Sequence, residues 1–195
     1  MTEVGGEGLE ELGHRLGELS ERQAAHARDL LDVIEKRRLE AREQGMNFAV
    51  PSADKIMHRL KGGNTPFFWG ALWDYRVPAP GTLHISVGID NPDPVAQFFI
   101  YTHLFVGPAI LTADVEQALA LVDTRFPRAT QPEFAGLLMA PFEEDTLSFD
   151  LPISGRIEES HYLLNLLLIQ MQPFELGQVL DRVTLVFKLR DRPGP

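Results

Sequence analysis

His84 and His103 are the side chains best placed to do chemistry, since each stands on the outward beat of an extended run, one from 81 to 90 and one from 95 to 106. If these runs paired as a hairpin through Asp90-Asn91-Pro92-Asp93-Pro94, the two imidazoles would be cross-strand neighbours on one face. With Asp90 as a third ligand they could hold a divalent cation, and a metal- or small-ligand-binding module of this kind has hydrolysis open to it. The competing expectation is that consecutive strands of a sandwich lie in different sheets, which would separate the pair.

Two further clusters carry oxygen ligands of the kind calcium requires: Asp90, Asn91 and Asp93 in one turn, and Glu143, Glu144 and Asp145 in another. Neither completes the alternating ligand series of a calcium loop, and turn chemistry and solvation account for them. Ser52-Ala53-Asp54-Lys55 fits the Ser-x-x-Lys pattern of a serine nucleophile activated from the next helical turn. The chain resembles the penicillin-recognising serine enzymes at these positions alone, because neither Ser-Asp-Asn nor Lys-Thr-Gly occurs, and a helix-capping serine explains Ser52. Phosphate-loop, dinucleotide and nucleophile-elbow motifs are absent from the sequence.

The elements that would position these residues begin with a stretch rich in Glu, Arg, Leu and Ala. Leu9, Leu12, Leu16, Leu19, Leu30 and Val33 follow a heptad seam, with Gln23 and His26 as polar residues in the same register. A long amphipathic helix from about 7 to 44 is expected, ending at Gly45, then a short helix from about 53 to 60. The seam either pairs between chains as a coiled coil or lies on the chain's own β domain. Gly13 and Gly17 weaken its first turns by about 1 kcal/mol each relative to alanine.

From residue 63 onward the period changes to two. Alternating runs are expected at 67–77, 81–90, 95–106, 147–153 and 183–189; the stretch 161–171, apolar on both faces, suits a central strand, although its leucines would also suit a helix. A short helix after Thr112 interrupts them, and the proline-bearing segment 126–145 reads as an irregular excursion. The fold expected is therefore an antiparallel, immunoglobulin-like β-sandwich (63–195) carried behind a helical segment (1–62). In the second run, inward-facing Phe98, Ile100, Leu104 and Val106 would leave Phe99, Tyr101, His103 and Phe105 outside, too much aromatic surface to stay wet.

Composition narrows the partners. With 28 acids against 18 bases and a net charge of −10, the chain lacks the basic face that nucleic acid requires. There is no cysteine for disulfides or thiolate chemistry, and no run of about 18 apolar residues for a membrane span. The N-terminus lacks the pattern of a secretory signal, so a cytoplasmic protein is expected. No cofactor is implied. The expected function is a non-catalytic structural or protein-interaction module, joining copies of itself or a larger assembly through Leu9, Leu12, Leu16, Leu19, Gln23, His26, Leu30 and Val33 on the helix and Phe99, Tyr101 and Phe105 on the sheet.

Overall fold

The computed structural model describes residues 6–62, 65–94, 98–106, 133–153, 161–172 and 175–191. The described helices are α1 (Gly6–His14), α2 (Glu21–Gln44) and α3 (Ala53–Gly62), with a short 3-10 turn at Leu16–Glu18 between the first two. The expected single helix is thus broken. Gly13 lies just before the break and Gly17 within its 3-10 turn, and Ser20 starts α2 afresh with a capping box: its Oγ accepts from Gln23 N, and Gln23 Oε1 accepts from Ser20 N. Gly45, at φ +67°, ends α2 in the left-handed conformation glycine tolerates.

The strands are β1 (Asn47–Ala49), β2 (Phe67–Trp73), β3 (Arg76–Ala79), β4 (Gly81–Asn91), β5 (Phe98–Val106), β6 (Glu133–Met139), β7 (Glu143–Ile153), β8 (His161–Gln172) and β9 (Glu175–Asp191). They form one sheet in the order β1-β2-β4-β7 and a second in the order β3-β9-β8-β5-β6. Pairing is antiparallel except between β3 and β9. One hydrophobic cluster fills the space between the sheets, with Ile85, Val87 and Leu151 from the first and Leu164, Leu166 and Phe187 from the second. A second cluster lies on the other side of the first sheet, where Leu12, Leu30, Ile34, Ile56 and Leu60 of the helices cover Phe67 and Trp69. The protein is therefore three layers deep, and β2 is buried along its whole length.

Several expectations change at this point. The run 67–77 is two strands: β2 stays in the first sheet, and after Asp74-Tyr75 the chain crosses to the second sheet as β3. Its even-handed aromatic alternation is also split. A bulge between Phe68 and Gly70 shifts the register on β4, so Phe67 and Trp69 turn to the helices while Ala71 and Trp73 turn to the sandwich core. The segment 126–145 contains β6 and the start of β7, with Pro141 in the turn between them. The stretch 161–171 is the central strand β8. The expected division after residue 62 falls between β1 and β2, which are neighbours in one sheet. The helix expected after Thr112 lies outside the described residues.

Gly88 is required by a close approach. A Cβ there would run into the indole of Trp69, which is packed flat over this position. Gly88→Ala is expected to lower the stability by about 1–3 kcal/mol through overpacking, read as a lower urea midpoint with unchanged slope.

Candidate functional site

The polar groups under α2 form the most closely built site. His26 lies on the inner face of the helix, and Asp90 lies at the end of β4 on the face turned to the helices, opposite Phe67. His26 Nε2 and Asp90 Oδ1 are 2.7 Å apart, with Asp90 at 0% exposure. Among the described residues Asp90 Oδ2 is buried without a hydrogen-bond partner. Glu144 stands beside Asp90 on the neighbouring strand β7, and among the described residues its Oε2 meets none either.

The turn from β6 to β7 closes this site. Phe142, held at φ +55°, sets its ring 5.2 Å from that of His26, and the Arg22 guanidinium lies 4.6 Å over the same ring. A bulky residue with positive φ is strained, and the Arg22 cation over its ring and the tilted contact with His26 offset part of that cost. Asn91 continues the closure, donating from Nδ2 to Ala140 O at 2.8 Å.

Burial pushes the Asp90 carboxyl above the usual carboxylate range, opposed by the hydrogen bond and charge of His26. Glu144 is raised as well, by burial first and then by the negative charges of Asp145 and Asp90, with Arg37 and His26 opposing. The arrangement positions α2 on the sheet.

Gln23, the other polar residue of the seam, donates from Nε2 to Leu60 O of α3 at 3.0 Å. Leu12 and Leu30 are fully buried, and Leu9, Leu16, Leu19 and Val33 pack partly buried against the same cluster. The heptad seam is thus packed within the chain, and its polar residues bond to the sheet and to α3. The reason is β2, whose bulge turns two large aromatics outward and requires an apolar cover.

The expected metal set does not assemble. β4 and β5 lie in different sheets, so His84 and His103 are not cross-strand neighbours; His103 is in register with Leu167 of β8. His84 and Asp90 share a strand but are separated by roughly 20 Å at the strand rise. His84 is instead bound to Asp74, which accepts from its backbone N–H at 2.9 Å and lies 2.7 Å from Nδ1. Among the described residues no group of three or more metal-ligating side chains is arranged to hold an ion. Ser52 Oγ accepts from Lys55 N at 3.3 Å, which is the capping role, and Lys55 Nζ turns away to Asp181. Phe99, Tyr101 and Phe105 lie on β5, in register with Leu138, Ile169 and Asn165 respectively; their side chains are outside the described residues.

Sequence reasoning named His26 and Asp90 separately and missed their pairing, since nothing local ties residues 64 positions apart. It also missed Asp181, whose visible sign was a lone acid among Val179, Leu180 and Val183.

No family model matches the chain, and no curated protein does. Solved structures with a similar course include the C-terminal domain of wzt, with a TM-score of 0.43 and 7% identity over 74% of this chain and 78% of that one. A Niemann-Pick type C2 protein from the Japanese carpenter ant gives 0.41 and 8% over 66% and 96%. A CARDB domain from Pyrococcus furiosus, in complex with di-metal ions, gives 0.39 and 10% over 64% and 90%. Among the described residues no helix is long and apolar enough to cross a membrane.

His26→Ala leaves the buried Asp90 carboxyl without its hydrogen-bond partner and is expected to cost about 1–3 kcal/mol, with Asp90→Asn on the same chain restoring part of the loss in urea melts. The pH dependence follows from the raised carboxyls. Their contribution to stability is full below the unfolded carboxyl range, about pH 4, and is lost as the pH rises through their folded values. Glu144→Gln is expected to flatten the fall in urea midpoint from about pH 4 to 7; an unchanged slope would mean that Glu144 titrates alike in both states.

Proposed function

We propose that this chain is a non-catalytic structural or protein-interaction module of immunoglobulin-like kind that associates with a second copy of itself through the outer face of its five-stranded sheet. One observation carries the reading. Leu138 of β6 and Val186 of β9 are large apolar residues left 53% and 36% exposed, and both belong to the face turned away from the sandwich core.

The alternation supports this assignment. Met139 points into the core, so its neighbour Leu138 points out; Leu185 and Phe187 point in, so Val186 points out. Val186 is paired with partly buried Leu163, and Leu167 and Ile169 continue the apolar face at 0% exposure along β8. Phe99 is the register partner of Leu138. The centre of the face is covered within the chain, so association would be driven by removing Leu138 and Val186 at its margin from water. The helical layer has a different part, because its seam is already packed on the other sheet.

A seam variant such as Leu30→Asp would unfold the helical layer and so cannot test association. Leu138→Asp with Val186→Asp places both charges at exposed positions, where the folded chain tolerates them. Wild-type protein is expected to sediment as a dimer that dissociates on dilution, and the double variant as a folded monomer. A wild type that stays monomeric at every concentration, or a double variant that still dimerises, would remove the proposal.

A further inference from the structure

The helical layer covers the Asp90 end of β4 and leaves its other end open. Gly88 and Asp90 are buried on that face, whereas Thr82 and His84 on β4, with Ser148, Asp150 and Pro152 on β7, are exposed. His84 is nevertheless fixed in place. Asp74, just past the end of β2, donates from its backbone N–H to His84 O at 3.2 Å, and its Oδ2 accepts from His84 N at 2.9 Å and lies 2.7 Å from Nδ1. An ionised carboxylate only accepts, so Nδ1 carries the proton and Nε2 of the neutral ring presents its lone pair outward. A metal-ligating histidine has this arrangement, its second ring nitrogen held by a carboxylate.

Asp150 brings an oxygen to the same point. It is the register partner of His84, with Oδ1 4.0 Å from Nε2. That separation is too long for a hydrogen bond. Two donors on one ion at about 2.1 Å each stand roughly 3.4 Å apart at the tetrahedral angle, and the Asp150 side chain, 74% exposed, is free to rotate through the difference. Ser86 and Ser148 are the next cross-strand pair on this face, with their Oγ atoms 3.5 Å apart. Their hydroxyls stand where they can bond to water on such an ion.

We propose that His84 and Asp150 form a two-point binding site for a divalent ion of the zinc and copper class, with water in the remaining positions and Asp74 holding the imidazole from behind. Of the set His84, His103 and Asp90 expected from the sequence, only His84 remains. The imidazole sets the selectivity, because calcium and magnesium take oxygen ligands while zinc and copper favour nitrogen. Asp74 is a positioning residue. It touches no ion, and acts by fixing the tautomer and the direction of the ring.

The test is calorimetric titration of the metal-free full chain with zinc, copper(II) and calcium chlorides. One tight ion per chain is expected for zinc, with copper tighter still and no calcium binding over the same range. His84→Ala is expected to lose this site, and His58→Ala, at an exposed histidine of α3, to keep it. Asp150→Asn is expected to weaken zinc binding several-fold. Asp74→Asn, which can still accept from the His84 backbone, is expected to weaken it roughly tenfold, the low end for loss of a partner behind a ligating histidine; binding by a bare imidazole would not respond to that change. All four variants are expected to melt like wild type without metal. Zinc binding no tighter in wild type than in His84→Ala, calcium binding as tightly as zinc, or unchanged zinc affinity in Asp150→Asn or Asp74→Asn would overturn the proposal. The dimer proposed above uses the outer face of the other sheet, so Leu138→Asp with Val186→Asp is expected to leave zinc binding unchanged and the two readings fail separately.

Discussion

The register shift in β2 between Phe68 and Gly70 is the constraint on which the layers depend. In a regular strand, Phe67, Trp69, Ala71 and Trp73 would share one face. The inserted residue divides them, so that the same seven-residue strand supplies aromatic mass to two separate cores. Burying large side chains such as Phe67 and Trp69 stabilises by about 1.5–3 kcal/mol each, but only if something covers the outer face. The helices exist in their packed form because that face is apolar.

The polar contacts divide the same way. His26 with Asp90, and Gln23 with the Leu60 carbonyl, hold α2 against the sheet and against α3. Asp181 ties three elements at once: Lys55 and Arg59 of α3, its own strand β9, and the backbone of Phe68 at the edge of the bulge. Each of these is a directional bond at a boundary between layers. Apolar contacts there would resist separation but would tolerate sliding, whereas a buried charge left without its partner is costly and so selects one alignment.

Much of the architecture was legible from periodicity. β4, β7 and β9 each contain the apolar alternation that predicts them, and β8 is the two-sided strand its leucines suggest. Ser20 and Gly45 mark the ends of α2 by ordinary capping chemistry. The bulge was not legible, since Phe-Phe-Trp-Gly fits either register and only the partner strand decides. The fate of the heptad seam followed from that same hidden shift. Of the polar site, His26 and Asp90 were visible as unusual residues, one in an apolar register and one at a strand end. Their pairing needed the fold, as did the separation of His84 from His103 into different sheets.

The chain contains two tryptophans, and the bulge sends one into each hydrophobic cluster. Trp69 sits beneath the helices over Gly88, and Trp73 lies between the sheets with its Nε1 donating to Val186 O at 2.8 Å. Their emission is thus an internal pair of gauges, one for each interior. Should the helices lift while the sandwich persists, the first indole would meet solvent and redden while the second kept its colour, so a single spectrum tells peeling apart from collapse.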